Sequence, residues 1–326
     1  MTVSAELAPR GSTWIRQAIS LAVTKNTAGD AADYAAARWG AASKSAQAMK
    51  AAVTQSDVAT AQARSAQAEM MALVRDRSLV GRVRFRRVVP HVRTLTTANG
   101  ASVAWVEPGA ARPLSIPEFE PGFVAPKSVA GMVLATMEAL REGGAAFEDL
   151  LREELVTALS LAIDGALLDT GTANPLAPPS LLSDAPEVDA TDDAGDDLRD
   201  LIAAFEGDLS RAVFAMHPKT AASLSGPDRS NIGLAGGELL GASVYTTRAA
   251  PAGIIALIDP ARVFVCEGTI DVQTAFEGTV ATETASVPLF QTNSAAIRAE
   301  LGIGWKAEEG AAAFVTGATY GVEESS

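Results

Sequence analysis

The string GALLDTGTANP (residues 165–175) contains Asp169, whose carboxylate could act in catalysis. Two apolar residues precede the sequence Asp-Thr-Gly in this string. Aspartic proteases present a carboxylate in this way, and they need two carboxylates that share one proton. The chain has no second Asp-Thr-Gly or Asp-Ser-Gly, so Asp169 would have to act across a homodimer. Three-residue motifs also recur by chance. A homodimeric aspartic protease that uses Asp169 is therefore a distant alternative, and we expect Asp169 to lie at the end of a helix.

His217 is the second residue with possible catalytic chemistry. It follows an apolar run and precedes Pro218, and a Ser-His-Asp arrangement would need Ser223 or Ser225 beside it. The chain lacks the Gly-x-Ser-x-Gly string that exposes a nucleophilic serine. The sequence favours a corner between a strand and a helix at His217.

Cofactor and metal motifs are missing from the sequence. One cysteine, Cys266, and two distant histidines, His91 and His217, cannot form a zinc site. There is no P-loop and no Gly-x-Gly-x-x-Gly, and GLAGGELLG (residues 233–241) reads as a flexible turn. The sequence predicts no catalytic residues, no cofactor, no metal and no enzymatic activity.

The composition indicates a globular and acidic protein. The chain has 326 residues, 48% of them hydrophobic, a net charge of -13 and a pI of about 4.7. A strongly acidic chain repels the phosphate backbone at long range, which argues against a dedicated nucleic-acid binder. The single cysteine favours synthesis in the cytoplasm, and the sequence indicates neither a signal peptide nor a membrane span.

Seven arginines lie between Arg75 and Arg93. In GRVRFRRVV (residues 81–89) basic and apolar residues mostly alternate, which predicts a strand with one basic face. Residues 184–208 hold ten acids and one base. We expect the basic strand to face an acidic surface, and this stretch, on the same subunit or a neighbour, is one candidate.

The elements around these residues follow a definite order. Residues 13–74 are Ala-rich and helical in pattern, and a segment with four prolines (residues 111–127) must be extended. Residues 145–169 predict a long amphipathic helix with Leu151, Leu155 and Leu159 on its apolar stripe. That stripe also holds Phe147, Leu150, Ala162, Ile163, Ala166 and Leu167, and the opposite face carries Glu148, Arg152, Glu153 and Asp164. Short strands fill most of the remainder, so the order predicts an α+β fold with mostly antiparallel sheet.

Six strings in this order resemble the major capsid proteins of tailed bacteriophages, which have the Hong Kong 97 fold. The resemblance covers about residues 70–320, and in one string Ser243 replaces the proline usual in that family. The strings are WVEPG (105–109), APKSVAGMVLATMEAL (125–140), AIDGALLDTGTANPLAPPSLL (162–182), AVFAMHPKTAASL (212–224), ELLGASVYTT (238–247) and AIRAELGIGWKAEEGAAAF (296–314).

The resemblance implies a fold with an N-terminal helical arm, an extended loop (E-loop), a long spine helix, a peripheral (P) domain and an axial (A) domain. It implies self-assembly as pentamers and hexamers into an icosahedral phage head that encloses packaged DNA. The virion would be the location, after assembly in the bacterial cytoplasm, with portal, scaffolding or decoration proteins as further partners. An encapsulin-like shell and a gene-transfer-agent shell are the alternatives, and no membrane partner and no sequence-specific nucleic-acid binding are expected.

The same resemblance divides the chain into parts. It implies an arm or scaffold-like segment over residues 1–74, which is either removed by a maturation protease or retained. The basic strand and E-loop would occupy residues 75–126. The P domain would comprise residues 127–175 and 276–326, and the A domain residues 176–275.

Some members of the family join a loop lysine to an asparagine with the help of a glutamate, and Asn293 and Glu300 fall at matching places. The sequence has no lysine between Lys50 and Lys127. Arg112 cannot replace it, because its guanidinium stays protonated. We therefore predict that this chain forms no such cross-link.

Overall fold

The first part of the chain is helical, as an Ala-rich sequence without internal proline predicts. The computed structural model describes residues 9–54, 57–90, 93–97, 119–171, 174–191, 193–226, 229–281 and 286–320. The first five helices are α1 (Ser12–Val23), α2 (Ala28–Trp39), α3 (Lys44–Thr54), α4 (Asp57–Arg77) and α5 (Leu79–Arg82).

The predicted long helix is present. A short helix, α6 (Met137–Glu142), precedes α7 (Gly144–Leu167), which has 24 residues. At 1.5 Å per residue, α7 is about 36 Å long. The carbonyl oxygen of Leu167 accepts hydrogen bonds from the backbone N of Leu181 and from Ser180 Oγ, each at 3.0 Å. These bonds hold the segment that follows the corner against the C-terminal end of α7.

The strands build two main sheets. In chain order they are β1 (Arg86–Val88), β2 (Arg93–Thr97), β3 (Phe119–Phe123), β4 (Lys127–Thr136), β5 (Glu187–Asp189), β6 (Val213–Met216), β7 (Ile232–Gly233), β8 (Gly236–Leu239), β9 (Ala242–Thr246), β10 (Ile255–Ile258), β11 (Val263–Ala275), β12 (Thr279–Ala281), β13 (Ser286–Pro288), β14 (Ser294–Ala307) and β15 (Ala312–Thr316).

A four-stranded sheet has the order β1-β11-β14-β4, and α7 packs on β4. A seven-stranded sheet has the order β5-β15-β10-β6-β9-β8-β7. Two more helices, α8 (Ala194–Ala204) and α9 (Pro218–Leu224), contact this second sheet. Most strand pairs are antiparallel, with β1–β11, β5–β15 and β6–β9 parallel. The predicted α+β class with mostly antiparallel sheet is confirmed.

Two hydrophobic cores lie on opposite faces of β10. Side chains alternate along a strand, so Ala256 and Ile258 enter the main core, whereas Ile255 and Leu257 enter the second core. The main core also contains the buried sides of α1, α7, β11 and β14. The second core fills the space beneath α8 and α9. β10 is therefore buried on both faces, which explains its unbroken apolar sequence.

The burial of α7 differs from the predicted apolar stripe and polar face. Glu148, Arg152 and Asp164 are buried, whereas Leu150 is 54% exposed. The reason is that β4 covers one side of α7 while α1, α4 and α5 pack on another. The helix also ends at Leu167, so Asp169 lies just beyond it.

The predicted basic strand over residues 81–89 is mostly wrong. Only Arg86–Val88 is a strand, because helix continues to Arg82. Ser78 explains this local result, since its Oγ accepts a hydrogen bond from Val80 N at 3.0 Å and caps α5.

The boundaries that the family resemblance implies along the chain differ from the boundaries between the two sheets. The boundary between residues 74 and 75 falls inside α4. β11 precedes the boundary at residue 276 but pairs with β14 in the four-stranded sheet, whereas β15 follows that boundary and joins the seven-stranded sheet. β2 and β3 pair with each other, and the string WVEPG (105–109), which resembles the strand that enters the family's extended loop, lies outside the described residues.

Candidate functional site

Asp169 lies at the corner that follows α7. Its Oδ1 accepts a hydrogen bond from the backbone N of Gly171 at 2.9 Å, so the carboxylate stabilises the turn. A cleft of about 670 Å³ adjoins this corner, lined among others by Lys127, Asp169 and Asn174. Of the described residues that line the cleft, Asp169 is the only acidic one. A helix leads into Asp169 rather than a strand, so this corner does not reproduce the carboxylate pair of an aspartic protease.

His217 caps a helix. It follows β6, and its Nδ1 accepts a hydrogen bond from the backbone N of Lys219 at 3.0 Å at the start of α9. Burial and the nearby Lys219 lower the pKa of His217. Ser223 Oγ donates to the carbonyl oxygen of Thr220 at 2.8 Å. The predicted corner is confirmed, and the structure gives His217 no bond to a serine nucleophile within the described residues.

The arginine cluster pairs inside the subunit. Arg75 and Arg87 both form ion pairs with Glu267, whose side chain is 8% exposed, and Arg77 pairs with Glu153. Glu267 lies where the register of β11 against β14 shifts. A bulge of this kind redirects a side chain. Three of the arginines therefore hold helix α4 and strand β1 against the body of the same chain.

The acidic stretch over residues 184–208 serves its own fold. Asp193 caps the N-terminus of α8. Asp197 is fully buried and accepts hydrogen bonds from Thr191 Oγ1 at 2.6 Å and from Tyr320 Oη at 2.5 Å. Among the side chains that the structure describes, no arginine of the cluster pairs with this stretch. A contact with a neighbouring subunit stays a prediction.

Asn293 and Glu300 are separated in the subunit. Asn293 is exposed, has a positive φ of 47° and lies just before β14. Glu300 lies within β14 and pairs with Arg298 at 3.2 Å. Seven residues of extended strand span roughly 23 Å, so one subunit does not bring the two side chains together. Arg112 lies outside the described residues.

A buried carboxylate that sequence reasoning missed is Asp164. It is 1% exposed, and it accepts hydrogen bonds from Leu79 N at 2.7 Å and from Thr247 Oγ1 at 2.8 Å. Burial raises the pKa of Asp164 to about 6, and the bonds from Thr247 and Leu79 offset this only in part. Asp164 thus joins α5, α7 and the segment after β9. Its spacing on α7 indicated an exposed face, so only the packing reveals it.

Neither a metal centre nor a membrane segment emerges from the part of the chain that the structure describes. It contains no cluster of three or more His, Cys, Asp or Glu side chains that could hold a metal ion. It contains no helix with the length and hydropathy needed to span a bilayer.

The outer edge of β4 and its open face, on which the exposed side chains of Ser128, Ala130, Met132 and Leu134 lie, are the clearest candidate for an interaction surface. β4 has ten residues and is the last strand of its sheet, so its outer backbone groups have no strand partner among the described residues. Met132 is 52% and Leu134 is 40% exposed. A long edge strand with exposed apolar side chains is a template for association with another chain. This arrangement is suited to assembly rather than to catalysis.

Comparison with known proteins identifies the family. Residues 63–300 match the Phage capsid family. The chain belongs to this family. The capsid polyprotein of Pseudomonas phage PAJU2 is 26% identical over 292 residues, which cover 78% of this chain and 44% of that protein. The chain spans less than half the length of this curated relative. Membership of this family identifies residues 63–300 as capsid sequence, which belongs to a structural family and not to a family of enzymes.

Solved capsid structures share the fold of this phage capsid family member. A protein of Gordonia phage Cozz is 16% identical, with a TM-score of 0.53 over 76% of this chain and 87% of its own. The capsid of a native GTA particle is 17% identical, with a TM-score of 0.51 over 74% of this chain and 90% of its own. The predicted Hong Kong 97-type α+β fold is confirmed.

Proposed function

We propose that this chain is a major capsid protein of a tailed phage, which self-assembles as pentamers and hexamers into an icosahedral head around packaged DNA. Membership of the phage capsid family carries the proposal. The open edge of β4 supports it, because an edge of this kind favours association with another chain. The fold that the chain shares with the capsid of a GTA particle is in keeping with a shell subunit. The subunit would reside in the virion after assembly in the host cytoplasm.

We also propose a division of the subunit that follows the sheets. The four-stranded sheet and α7 would form the P domain, with α7 as the spine helix, and the seven-stranded sheet with α8 and α9 would form the A domain. This places β11 in the P domain and β15 in the A domain, in contrast to a cut at residue 276. The pair β2–β3 would be the base of the E-loop. Portal, scaffolding and decoration proteins are proposed further partners.

The direct test is to purify the expressed full-length chain and examine it by size exclusion and negative-stain microscopy. We expect large and uniform closed particles. A chain that stays monomeric or dimeric at high concentration, with and without its co-expressed phage assembly partners, contradicts the proposal.

The contents of particles from the native source distinguish a phage head from related shells. Packaged phage DNA together with a portal protein supports a phage head, whereas an enclosed cargo enzyme supports an encapsulin-like shell.

An Asp169→Ala variant tests the protease alternative. We expect it to form normal particles, because the hydrogen bond of Asp169 among the described residues is the local one from Gly171 N. Peptidase activity that disappears with this variant would contradict the structural role.

A further inference from the structure

Helix α1 is buried in the main core of the subunit. Trp14 is 1% exposed, and Ile15 and Ile19 are fully buried. These side chains belong to the same apolar cluster as Leu151 and Leu155 of α7. A segment that is to be discarded would dock through a surface that stays soluble without it. Here α1 covers large apolar side chains that form the centre of the core.

A buried ion pair fixes the N-terminal helices to α7. Glu148 Oε2 accepts a hydrogen bond from Arg16 Nε at 2.8 Å, and Glu148 Oε1 accepts one from Trp39 Nε1 at 2.8 Å. The side chain of Glu148 is 5% exposed and that of Arg16 is 19% exposed. The Arg16 guanidinium also lies over the Trp39 ring, 5.6 Å from its centre. Both oxygens of one buried carboxylate are thus satisfied from α1 and α2.

Two further contacts tie the same helices to other elements. Arg38 Nη1 donates to the carbonyl oxygens of Leu140 at 2.6 Å and Arg141 at 2.9 Å, near the end of α6. Asn26 Nδ2 donates to the carbonyl oxygen of Thr274 in β11 at 3.0 Å. The N-terminal helices therefore contact both the helical and the sheet parts of the subunit.

We propose that residues 12–54, here called the N-terminal clamp, are a permanent part of the folded subunit and are retained in the assembled shell. Loss of the clamp would expose the α7 face of the core and leave the Glu148 carboxylate without Arg16 and Trp39. Removal of one partner of a buried ion pair is strongly destabilising. The clamp precedes residue 63, where the family match begins, so the inference comes from this chain's own contacts. The second part of this proposal, that the clamp is retained in the shell, rests on the proposed function.

Hydrogen exchange on the soluble full-length chain tests the first half. We expect the backbone amides of α1 to be protected as strongly as those of α7, because both helices belong to one core. Rapid exchange in α1 alongside slow exchange in α7 would overturn the clamp.

Matched variants on α7 test the ion pair. Glu148→Gln keeps the shape but removes the charge, and Glu154→Gln changes an exposed glutamate on the same helix. We expect Glu148→Gln to speed exchange in α1 and α2 by roughly tenfold or more and to leave α8 unchanged. Glu154→Gln should change none of these rates. Equal exchange in the two variants would contradict the role of Glu148. If Glu148→Gln does not fold, Ile15→Val provides a milder test, with faster exchange in α1 as the expected result.

The intact mass of subunits from purified particles tests retention. We expect a mass that includes residues 12–54, and subunits that lack them would overturn retention. If no particles form, the proposed function fails, while the exchange measurements still decide whether the clamp belongs to the core.

Discussion

Buried carboxylates stabilise this subunit at the scale of single residues, and Glu148, Asp164 and Asp197 are three of them. Glu148 accepts hydrogen bonds from Arg16 and Trp39. Asp164 accepts them from Leu79 N and Thr247, and Asp197 accepts them from Thr191 and Tyr320. In each case a charge that would be costly alone accepts hydrogen bonds from a distant part of the chain. For Asp197, burial disfavours the charge, but the bonds from Thr191 and Tyr320 outweigh it and the pKa is lowered. These carboxylates connect separate elements of the fold.

Asp164 predicts a pH dependence of stability. Its pKa is about 6 in the folded chain, and an unfolded aspartate titrates near 4. Between these values the folded state binds a proton that the unfolded state has released, so stability from this group is full below about pH 4 and is lost as the pH rises through about 6. Relative to Asp164→Asn, the wild-type free energy of unfolding should fall by about 2–3 kcal/mol between pH 4 and 7.

Urea denaturation of the soluble chain across this pH range measures the effect. Asp200→Asn is the matched control, because Asp200 is an exposed aspartate in a helix. Its pH profile should run parallel to that of the wild type. An Asp164→Asn profile that is also parallel would show that Asp164 does not titrate as described.

At the scale of elements, helix α7 organises the subunit because other elements pack on more than one of its sides. The apolar stripe of α7 predicted one buried face, but packing by α1 and α4 buries polar positions as well. Strand β4 has the opposite character. One of its faces packs on α7, while the other face and the outer edge stay open among the described residues. An element that is half packed in this way is suited to complete its contacts in an assembly.

Met132→Lys should weaken assembly without unfolding the subunit. The Met132 side chain is 52% exposed, so the free energy of unfolding should change by less than about 0.5 kcal/mol. A lysine on the exposed face of an edge strand opposes pairing with another chain. We expect particles to form only at a higher protein concentration, as measured by light scattering.

Met132→Leu is the control for this change, because it keeps an apolar side chain of similar volume. It should assemble like the wild type. If Met132→Lys assembles at the wild-type concentration, the edge of β4 is not an assembly contact.

At the scale of the whole molecule, the acidic charge and the placement of basic groups suit a container. The net charge is -13, and Arg75, Arg77 and Arg87 pair with glutamates of the same chain. Phosphate binding needs clustered cations that are available to the ligand. These three arginines are therefore less available to phosphate, which agrees with the proposed role as a container.

Particles boiled in detergent with a reducing agent should give one band at the mass of a single subunit. The sequence has no lysine between Lys50 and Lys127, and Lys127 Nζ donates to the carbonyl oxygen of Pro175 at 2.6 Å. An amide cross-link needs a lysine amine near Asn293, which arginine cannot replace. A ladder of covalent oligomers on the gel would contradict this prediction.

The sequence alone determined the helical N-terminal region, the long helix, the α+β class and the order of motifs that names the family. These features depend on local periodicity and on strings such as GALLDTGTANP, which marks the end of α7 and the turn at Asp169. Periodicity reports neighbours along one element and contains no information on what packs against it.

Only the tertiary structure decided which polar residues are buried and which strands share a sheet. Glu148 and Asp164 looked exposed because their spacing places them opposite the apolar stripe, yet α1 and α5 approach that side of α7. Likewise, β11 lies in the four-stranded sheet and β15 in the seven-stranded sheet, although the division of the chain at residue 276 would place each in the other. Strand pairing joins residues that are distant in sequence. Contacts of this length are set by the sum of packing over the whole molecule, and no short window of sequence contains that sum.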